Sequence, residues 1–507
     1  MSAPRAVREF LEPSDSQMMN ASPFPGARLA AALAGLLLAA PGAAAQVVHV
    51  DRSAPPEIGP PPALRLPAIQ RLHLSNGVPV VLMEKHEVPL VQVDLLVREG
   101  SVNDPADRRG LADLTLAMLR EGAGDRDALE LADAIGFLGV SLSTTAGYHT
   151  SSVSLHTPLS KLDEALGLMA DVVLRPTFPP PELDRMRLER LTELVQAHDN
   201  PRAIAPVLFD RLLYGNEHPY GPPADPEAAL RSVGVEDLRA FYGEAFRPGN
   251  AMLVVVGDVT PESLRPRLEE AFGSWSGGET ERRTVPSAAQ VRGRKIYLVD
   301  KPGAAQSVIR IGRIGAPRLT DDYFAITVMN TILGGSFTSR LNQNLREDKG
   351  YTYGAGSFFA FRPAPGPFVA SADVQTDVTG PALAEFMKEL EGIRSPVPDD
   401  ELDRARNYVA LRYPRSFQTV RQVAGQLENL LTYGLPDTYF GDFTRHILDV
   451  TKDDVLRAAR RYVDPDNLVI VVVGDRAAIE DQVRALDLGP IELLSVTDVL
   501  GPVPSLD

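Results

Sequence analysis

Two polar side chains, Arg346 and Tyr353, have the chemistry and the spacing to act on one substrate. They lie seven residues apart in the stretch Gly334–Phe361, which reads GGSFTSRLNQNLREDKGYTYGAGSFFAF. A guanidinium is permanently charged and carries forked N–H donors that suit carbonyl or carboxylate oxygens, and a phenol is a neutral donor near pH 7. Together they would suit a peptide backbone or a developing oxyanion. On spacing alone, an arginine at a helix end and a tyrosine packed in a sheet are the simpler explanation.

The elements around the pair would bring both side chains to one place. Two leucines four residues apart indicate a short helix after the glycine turn, and Gly350 breaks it. A strand is predicted to begin at Tyr351. Arg346 would then lie on the last helical turn and Tyr353 near the start of the strand, with the glycine bend between them.

Composition limits the class of protein. The chain has 507 residues, a formal net charge of −16 and no cysteine. The negative charge argues against a phosphate-binding or anionic-membrane surface and is neutral about peptide substrates. Without cysteine there is no disulfide, no thiolate zinc site and no cysteine nucleophile. No stretch resembles a nucleic-acid-binding module or reaches the length of a membrane span, so neither is expected.

The N-terminus indicates export. A basic residue precedes the apolar run 29–40, which is too short to span a bilayer, and small residues ending at Ala45 form a cleavage pattern. We therefore expect a signal peptide at 1–45, a Pro-rich leader at 46–65, and a periplasmic or secreted mature protein. Acidic residues ahead of the signal core make Met18 and Met19 alternative starts.

An internal repeat organises the rest of the chain. The segment 248–258, PGNAMLVVVGD, returns as 465–475, PDNLVIVVVGD, and Glu182-Leu-Asp-Arg185 returns as Glu401-Leu-Asp-Arg404. The two segments recur in the same order at nearly equal offsets of 217 and 219 residues, which indicates two copies of one structural unit. We assign the first unit to 66–275, a polar linker to 276–294, the second unit to 295–490 and a tail to 491–507.

Each unit alternates strand-like and helical runs. Short strands with hairpin breaks and long helices favour an α+β fold, in which two tandem units each pack helices on antiparallel sheets. The helical runs expected in the first unit are 111–120, 128–138, 159–174, 181–198, 235–245 and 261–271.

With these features and the segment 345–353, LREDKGYTY, the chain resembles the pitrilysin/insulinase family of zinc peptidases, which includes the mitochondrial processing peptidases. The resemblance covers about residues 66–490. It implies that the first unit of an active member carries His-x-x-Glu-His on a helix, with a more distant glutamate as the third zinc ligand. It also implies that an arginine and a tyrosine of the second unit reach across to that zinc site.

The zinc motif is degenerate in this chain. The matching stretch is 110–118, GLADLTLAM, which places Asp113 and Ala117 at the two histidine positions and Leu116 at the general base. Glu193 falls about where the resemblance puts the distal ligand. The eight histidines include no pair four residues apart. We therefore expect no metal in this chain.

The Arg–Tyr pair, in contrast, matches the family's spacing. The glycine stands one place early, at Gly350, so the resemblance leaves Tyr351 as an alternative to Tyr353 for the functional phenol. The family includes paired chains in which one bears the zinc motif and the other bears the Arg–Tyr pair. That pattern implies a non-catalytic, substrate-binding subunit of a heterodimer, with zinc in a homologous partner and unfolded peptides as substrates.

Two other functions are compatible with the residues. The chain could be a structural or peptide-binding pseudo-peptidase without any catalytic connection. It could also be a self-sufficient peptidase with an unusual metal site at Asp113 and Glu193, although two carboxylates without histidine suit zinc poorly.

Overall fold

The two valine-rich repeats become interior strands of two sheets. The computed structural model describes residues 64–278 and 284–506. Within the first range the strands are β1 (Gln70–His73), β2 (Pro79–Glu84), β3 (Leu90–Val97), β4 (Gly122–Ala123), β5 (Arg126–Asp127), β6 (Ser141–Ala146), β7 (Ser151–Pro158) and β8 (Ala251–Gly257). Within the second they are β9 (Lys295–Asp300), β10 (Gln306–Ile314), β11 (Thr352–Phe359), β12 (Pro367–Gln375), β13 (Val469–Gly474) and β14 (Ile491–Ser495).

The two six-stranded sheets have the same strand order. The first runs β1-β2-β8-β3-β7-β6 and the second runs β14-β9-β13-β10-β12-β11. Most neighbours are antiparallel, as expected, but β2 and β8 are parallel, and β9 is parallel to both β13 and β14. Strands β8 and β13 each follow a long helical connection. Such a connection allows a strand to pair in parallel with its neighbour, which a hairpin turn does not.

Helices surround both sheets. In the first unit they are α1 (Leu111–Met118), α2 (Ala128–Leu138), α3 (Leu162–Leu174), α4 (Pro180–Ala197), α5 (Pro201–Tyr214), α6 (Pro226–Ser232), α7 (Val235–Ala245) and α8 (Pro261–Phe272). In the second unit they are α9 (Tyr323–Asn330), α10 (Arg340–Asn342), α11 (Thr379–Gly392), α12 (Asp399–Arg412), α13 (Val420–Thr432), α14 (Tyr439–Leu448), α15 (Lys452–Tyr462), α16 (Arg476–Arg484) and α17 (Val496–Leu500). The predicted α+β fold of two tandem units is confirmed.

Helix α5 belongs to the first unit but packs on the second sheet. Asn200 caps its N-terminus by accepting a hydrogen bond from the Arg202 amide, and Pro201 occupies the first turn. Its apolar side chains share one buried cluster with strands β10 and β13, including Phe209 and Val471, both fully buried. The second sheet is therefore covered by a helix from the other unit.

Helix α13 makes the reciprocal contact. Thr419 and Gln422 form a capping box at its start. Its Val423 and Leu427 lie in the same buried cluster as Val81 of β2 and Val254 of β8. Since α5 and α13 occupy equivalent positions in the repeat, the two units exchange one helix each.

One glycine permits the close approach of α5. A Cβ on Gly312 of β10 would lie 2.9 Å from Cζ of Phe209 and 1.9 Å from the carbonyl oxygen of Phe368. The strand can therefore carry no side chain at this position, because the backbone carbonyl of Phe368 and the ring of Phe209 fill the space.

The ends of the second unit differ from the sequence-based boundaries. Residues 491–500, expected to lie in a tail, form β14 and α17, and β14 holds the edge position that β1 holds in the first sheet. The part of the linker at 284–294 also contacts the second sheet, where the Gln290 side-chain amide donates to the Ile314 carbonyl oxygen at 2.8 Å.

The expected signal peptide at 1–45 and most of the Pro-rich leader at 46–65 lie outside the described residues. Within residues 64–278 and 284–506, no helix is both long enough and apolar enough to cross a membrane.

A pair of carboxyl groups joins α13 to the first sheet. Asp94 of β3 is 2% exposed, and its carboxyl group hydrogen-bonds to that of Glu428 on α13. The Gln92 side-chain amide also donates to Asp94 Oδ1 at 2.6 Å. Burial, and then the neighbouring Asp94 charge, raises the pKa of Glu428 to about 8. His156 and Arg421 line the small cavity beside the pair.

We expect this pair to make stability fall as pH rises between about 4.5 and 8. In that window the folded chain retains a proton on Glu428 that the unfolded chain has released, so raising the pH favours unfolding. The slope should be on the order of 1 kcal/mol per pH unit. Glu428→Gln replaces the carboxyl group with an amide that can hydrogen-bond but does not titrate. It should flatten the dependence of the free energy of unfolding on pH, measured by denaturant unfolding at pH 5 to 8.

Glu480→Gln is the matched control. Hydrogen bonds from Arg476 and Arg484 lower the pKa of Glu480, so its carboxyl group is ionised in both the folded and the unfolded chain in this pH window. An unchanged slope in Glu428→Gln would contradict the retention of a proton on Glu428 in the folded chain.

Candidate functional site

The segment that carries Arg346 and Tyr353 is a helix, a glycine bend and a strand, in the predicted order. Helix α10 widens into a π-type turn at Gln343–Asp348, which contains Arg346. Gly350 has φ +66°, a conformation that glycine adopts without strain, and its amide donates to the Arg346 carbonyl oxygen at 3.1 Å. Strand β11 follows at once. The bend therefore turns the chain back beside the helical turn that bears the arginine.

Arg346 and Tyr353 contact each other. The guanidinium carbon of Arg346 lies 5.1 Å from the centroid of the Tyr353 ring and 4.6 Å from that of the Phe337 ring. Tyr353 is 90% exposed and Phe337 is 60% exposed. Two exposed aromatic rings thus hold one cation by cation–π attraction. The N–H donors of a guanidinium lie in its plane, so contact through its faces does not occupy them. One of them, Nε, lies 3.4 Å from Oε1 of Glu347.

Phe337 was missed at the sequence level. It lies between the glycine turn and α10, where its type suggests only a loop residue. Its exposure is unusual for a phenylalanine, and its contact with Arg346 gives it a positioning role in this cluster. A large aromatic residue just before the arginine-bearing helix was the available signal.

Tyr351 lies in a different environment. It precedes β11, is partly buried, and packs against the large apolar cluster of the second unit. Tyr351 precedes the strand that contains Tyr353, and the pairing of that strand with β12 shifts register between Thr352 and Ala355. The Thr352 hydroxyl anchors this irregularity by donating to the Asp373 carbonyl oxygen at 2.6 Å. Tyr353, rather than Tyr351, is the phenol beside Arg346.

The degenerate zinc-motif positions lie on α1. Gly110 precedes this helix with φ +98°, and Asp104 accepts hydrogen bonds from the Gly110 and Ala112 amides at 2.8 and 3.0 Å. Asp113 is exposed, whereas Leu116 is 1% exposed and belongs to the core of the first unit. Ala117 is partly buried against the same core. The position of the general base is therefore filled by a core residue.

An arginine joins the two carboxylates that remain near this motif. Arg190 of α4 donates to Asp113 Oδ2 at 2.8 Å and forms an ion pair with Glu193 Oε2 at 3.0 Å. Burial opposes its charge, but the hydrogen bond to Glu193 and the charge of Asp113 outweigh that effect and raise the pKa of Arg190. Sequence reasoning missed Arg190, although its spacing of three from Glu193 on a helix is an ion-pair signal.

These residues do not fit a zinc ion. Two carboxylates already paired with a guanidinium lack the imidazole ligands of a catalytic zinc site, and Leu116 cannot activate water. Across residues 64–278 and 284–506, no group of three or more His, Cys, Asp or Glu side chains is placed to hold a metal ion.

Comparison with known proteins identifies two matching family models. Residues 79–218 match insulinase, peptidase family M16, and residues 232–409 match the peptidase M16 inactive domain. Together the two models cover more than half of the chain. The first spans the degenerate motif and the second spans the Arg–Tyr segment.

Individual relatives agree with these matches. An uncharacterized zinc protease of Rickettsia felis is 22% identical over 393 residues, covering 76% of this chain and 93% of that protein. A Helicobacter pylori protein named non-peptidase homolog YmxG is 21% identical over 406 residues, covering 79% and 92%. The crystal structure of a peptidase M16 inactive domain from Pseudomonas fluorescens superposes with a TM-score of 0.74 at 27% identity, covering 80% of this chain and 98% of that one. The chain therefore belongs to the insulinase-like peptidase family M16.

Proposed function

We propose that this chain is the non-catalytic, substrate-binding subunit of an M16 zinc peptidase heterodimer. Its role would be to place Arg346 and Tyr353 at the active site of a homologous partner that bears the zinc motif. The observation that carries the proposal is a contrast between the units. In the first unit, Arg190 pairs with the carboxylates beside the degenerate motif. In the second unit, Arg346 contacts Tyr353, and Tyr353 is exposed.

The chemistry of the pair suits peptide hydrolysis in trans. The Arg346 guanidinium and the Tyr353 phenol would both donate to a backbone carbonyl oxygen of the substrate, and these hydrogen bonds would strengthen as negative charge develops on that oxygen. Phe337 would keep the guanidinium in position through their contact. The partner's zinc would supply the activated water.

The substrates would be unfolded peptides, and the place of action would be outside the cytoplasm. Donors that recognise backbone oxygens do not discriminate among side chains, so the pair itself favours extended chains of varied sequence. The apolar run at 29–40 and the small residues before Gln46 support export to the periplasm or the medium.

We expect Arg346→Ala in the heterodimer to lower kcat by a factor on the order of 10² to 10³, with a smaller change in KM, because the donor acts mainly on the developing charge. Tyr353→Phe, which removes only the phenol hydroxyl, should lower kcat by about tenfold or more. Steady-state hydrolysis of an unfolded peptide by the co-purified complex measures both effects.

The matched control is the double variant Arg412→Ala with Tyr408→Phe. It removes another arginine–tyrosine contact of the second unit, in which the guanidinium carbon lies 4.7 Å from the ring centroid. Activity should be retained in this control. If the Arg346 and Tyr353 variants also retain full activity, the chain is a structural or peptide-binding pseudo-peptidase instead.

We further expect the isolated chain to hold far less than one zinc ion per molecule after dialysis against micromolar zinc, because Asp113 and Glu193 are paired with Arg190 and no histidine joins them. Elemental analysis measures the ratio, and a chelator should leave the unfolding temperature unchanged. One zinc per chain, lost on Asp113→Asn, would instead establish a metal site at these carboxylates.

A further inference from the structure

The second unit contains an aromatic cavity of about 350 Å³ with one charged residue in its wall. It is enclosed by the loop after β10, the start of α9, the end of α12 and the helices α13 and α14. Four tyrosines and three phenylalanines line it: Tyr323, Tyr413, Tyr433, Tyr439, Phe361, Phe440 and Phe443. The guanidinium of Arg318 lies over the rings of Tyr323, Tyr433 and Tyr439. The volume is within the range of small-molecule sites.

Arg318 is a buried cation that meets aromatic rings instead of a carboxylate. It is 9% exposed, and its guanidinium carbon lies 3.7 Å from the ring centroid of Tyr323 and 5.2 Å from that of Tyr439. It donates to the Tyr439 hydroxyl at 2.6 Å. Within the described residues, no carboxylate oxygen lies within 4.0 Å of a guanidinium nitrogen of Arg318. Buried guanidinium groups are usually paired with an anion, so this arginine retains the capacity to bind one.

The other polar groups of the wall are four phenol hydroxyls, one serine hydroxyl and two side-chain amides, each of which can donate a hydrogen bond. Burial raises the pKa of Tyr413, Tyr433 and Tyr439, so these phenols stay protonated at neutral pH. Tyr413 is 8% exposed, and its hydroxyl oxygen has no hydrogen-bond partner among the described residues. An unpaired buried hydroxyl is costly, and a ligand oxygen would satisfy it. The wall contains no Asp or Glu that would repel an anion.

We propose that this cavity binds a carboxylate carried on an aromatic body. The ring would pack among the tyrosines and Phe443, and the carboxylate would accept hydrogen bonds from Arg318 and Tyr413. Two sources present this chemistry: a free aromatic acid, and the C-terminal residue of a peptide that ends in phenylalanine. This site is independent of the Arg346–Tyr353 pair and stands whether or not the chain acts in a heterodimer.

The test is calorimetric titration of the full chain with 3-phenylpropionate and with its neutral analogue 3-phenylpropionamide. We expect the acid to bind at least tenfold more tightly than the amide, because only the acid pairs with the guanidinium. Peptides ending in phenylalanine, with a free or an amidated C-terminus, distinguish the sources. Binding of the free-ended peptide as tightly as the acid identifies a peptide C-terminus, and binding of the acid alone identifies a small molecule.

Two variants separate binding from folding. Arg318→Gln should weaken binding of the acid about tenfold or more. Because that change could also disturb the cage of rings, Tyr413→Phe provides a second readout. It removes a hydroxyl that makes no hydrogen bond, so thermal stability should be retained or rise, while binding of the acid weakens about three- to tenfold. Equal affinity for acid and amide, or unchanged binding in a folded Tyr413→Phe, would overturn the proposal.

Discussion

Each sheet of this protein depends on a helix that the other unit provides. Helix α5 leaves the first unit to cover the second sheet, and α13 leaves the second unit to cover the first. An uncovered sheet face would expose a row of valines and isoleucines, so neither sheet is complete alone. The exchange therefore ties the two units into one body by burial of apolar surface, the dominant favourable contribution to folding. The Asp94–Glu428 pair adds a titratable contact to the same junction.

On this shared framework the two units have different chemistry. In the first unit a core leucine and an alanine stand on α1 at positions where the family needs a base and a ligand. Arg190 contacts both Asp113 and Glu193 there. In the second unit the guanidinium of Arg346 lies against two exposed rings, and its Nε lies 3.4 Å from Oε1 of the adjacent Glu347.

Much of the fold followed from the sequence because the evidence was local or repeated. The valine-rich strands, the helices α2 and α7, and the Gly350 bend have periodicities or turn residues that identify them directly. Helix α5 was not predicted, and Pro206 in its interior weakens the helical pattern there. Its exchange, the parallel strand pairs and the role of residues 491–495 as an edge strand depend on long-range packing that no local pattern encodes.

The candidate site shows the same division. Arg346 and Tyr353 could be named from spacing and from the family resemblance, and Asp113, Leu116 and Ala117 from the register of one stretch. The structure was needed to find the contacts of Phe337 and Arg190 and the different surroundings of Tyr351. Each depends on contacts between segments: a loop residue against a helix, a long side chain bridging two helices, and a shift in strand register.

The most direct measurement of the central claim is hydrolysis of an unfolded peptide by three preparations: this chain alone, its zinc-bearing partner alone, and an equimolar mixture. We expect chelator-sensitive cleavage only in the mixture, because the metal and the Arg346–Tyr353 pair would be in different chains. Chelator-sensitive cleavage by this chain alone, purified free of other proteases, would contradict a divided active site.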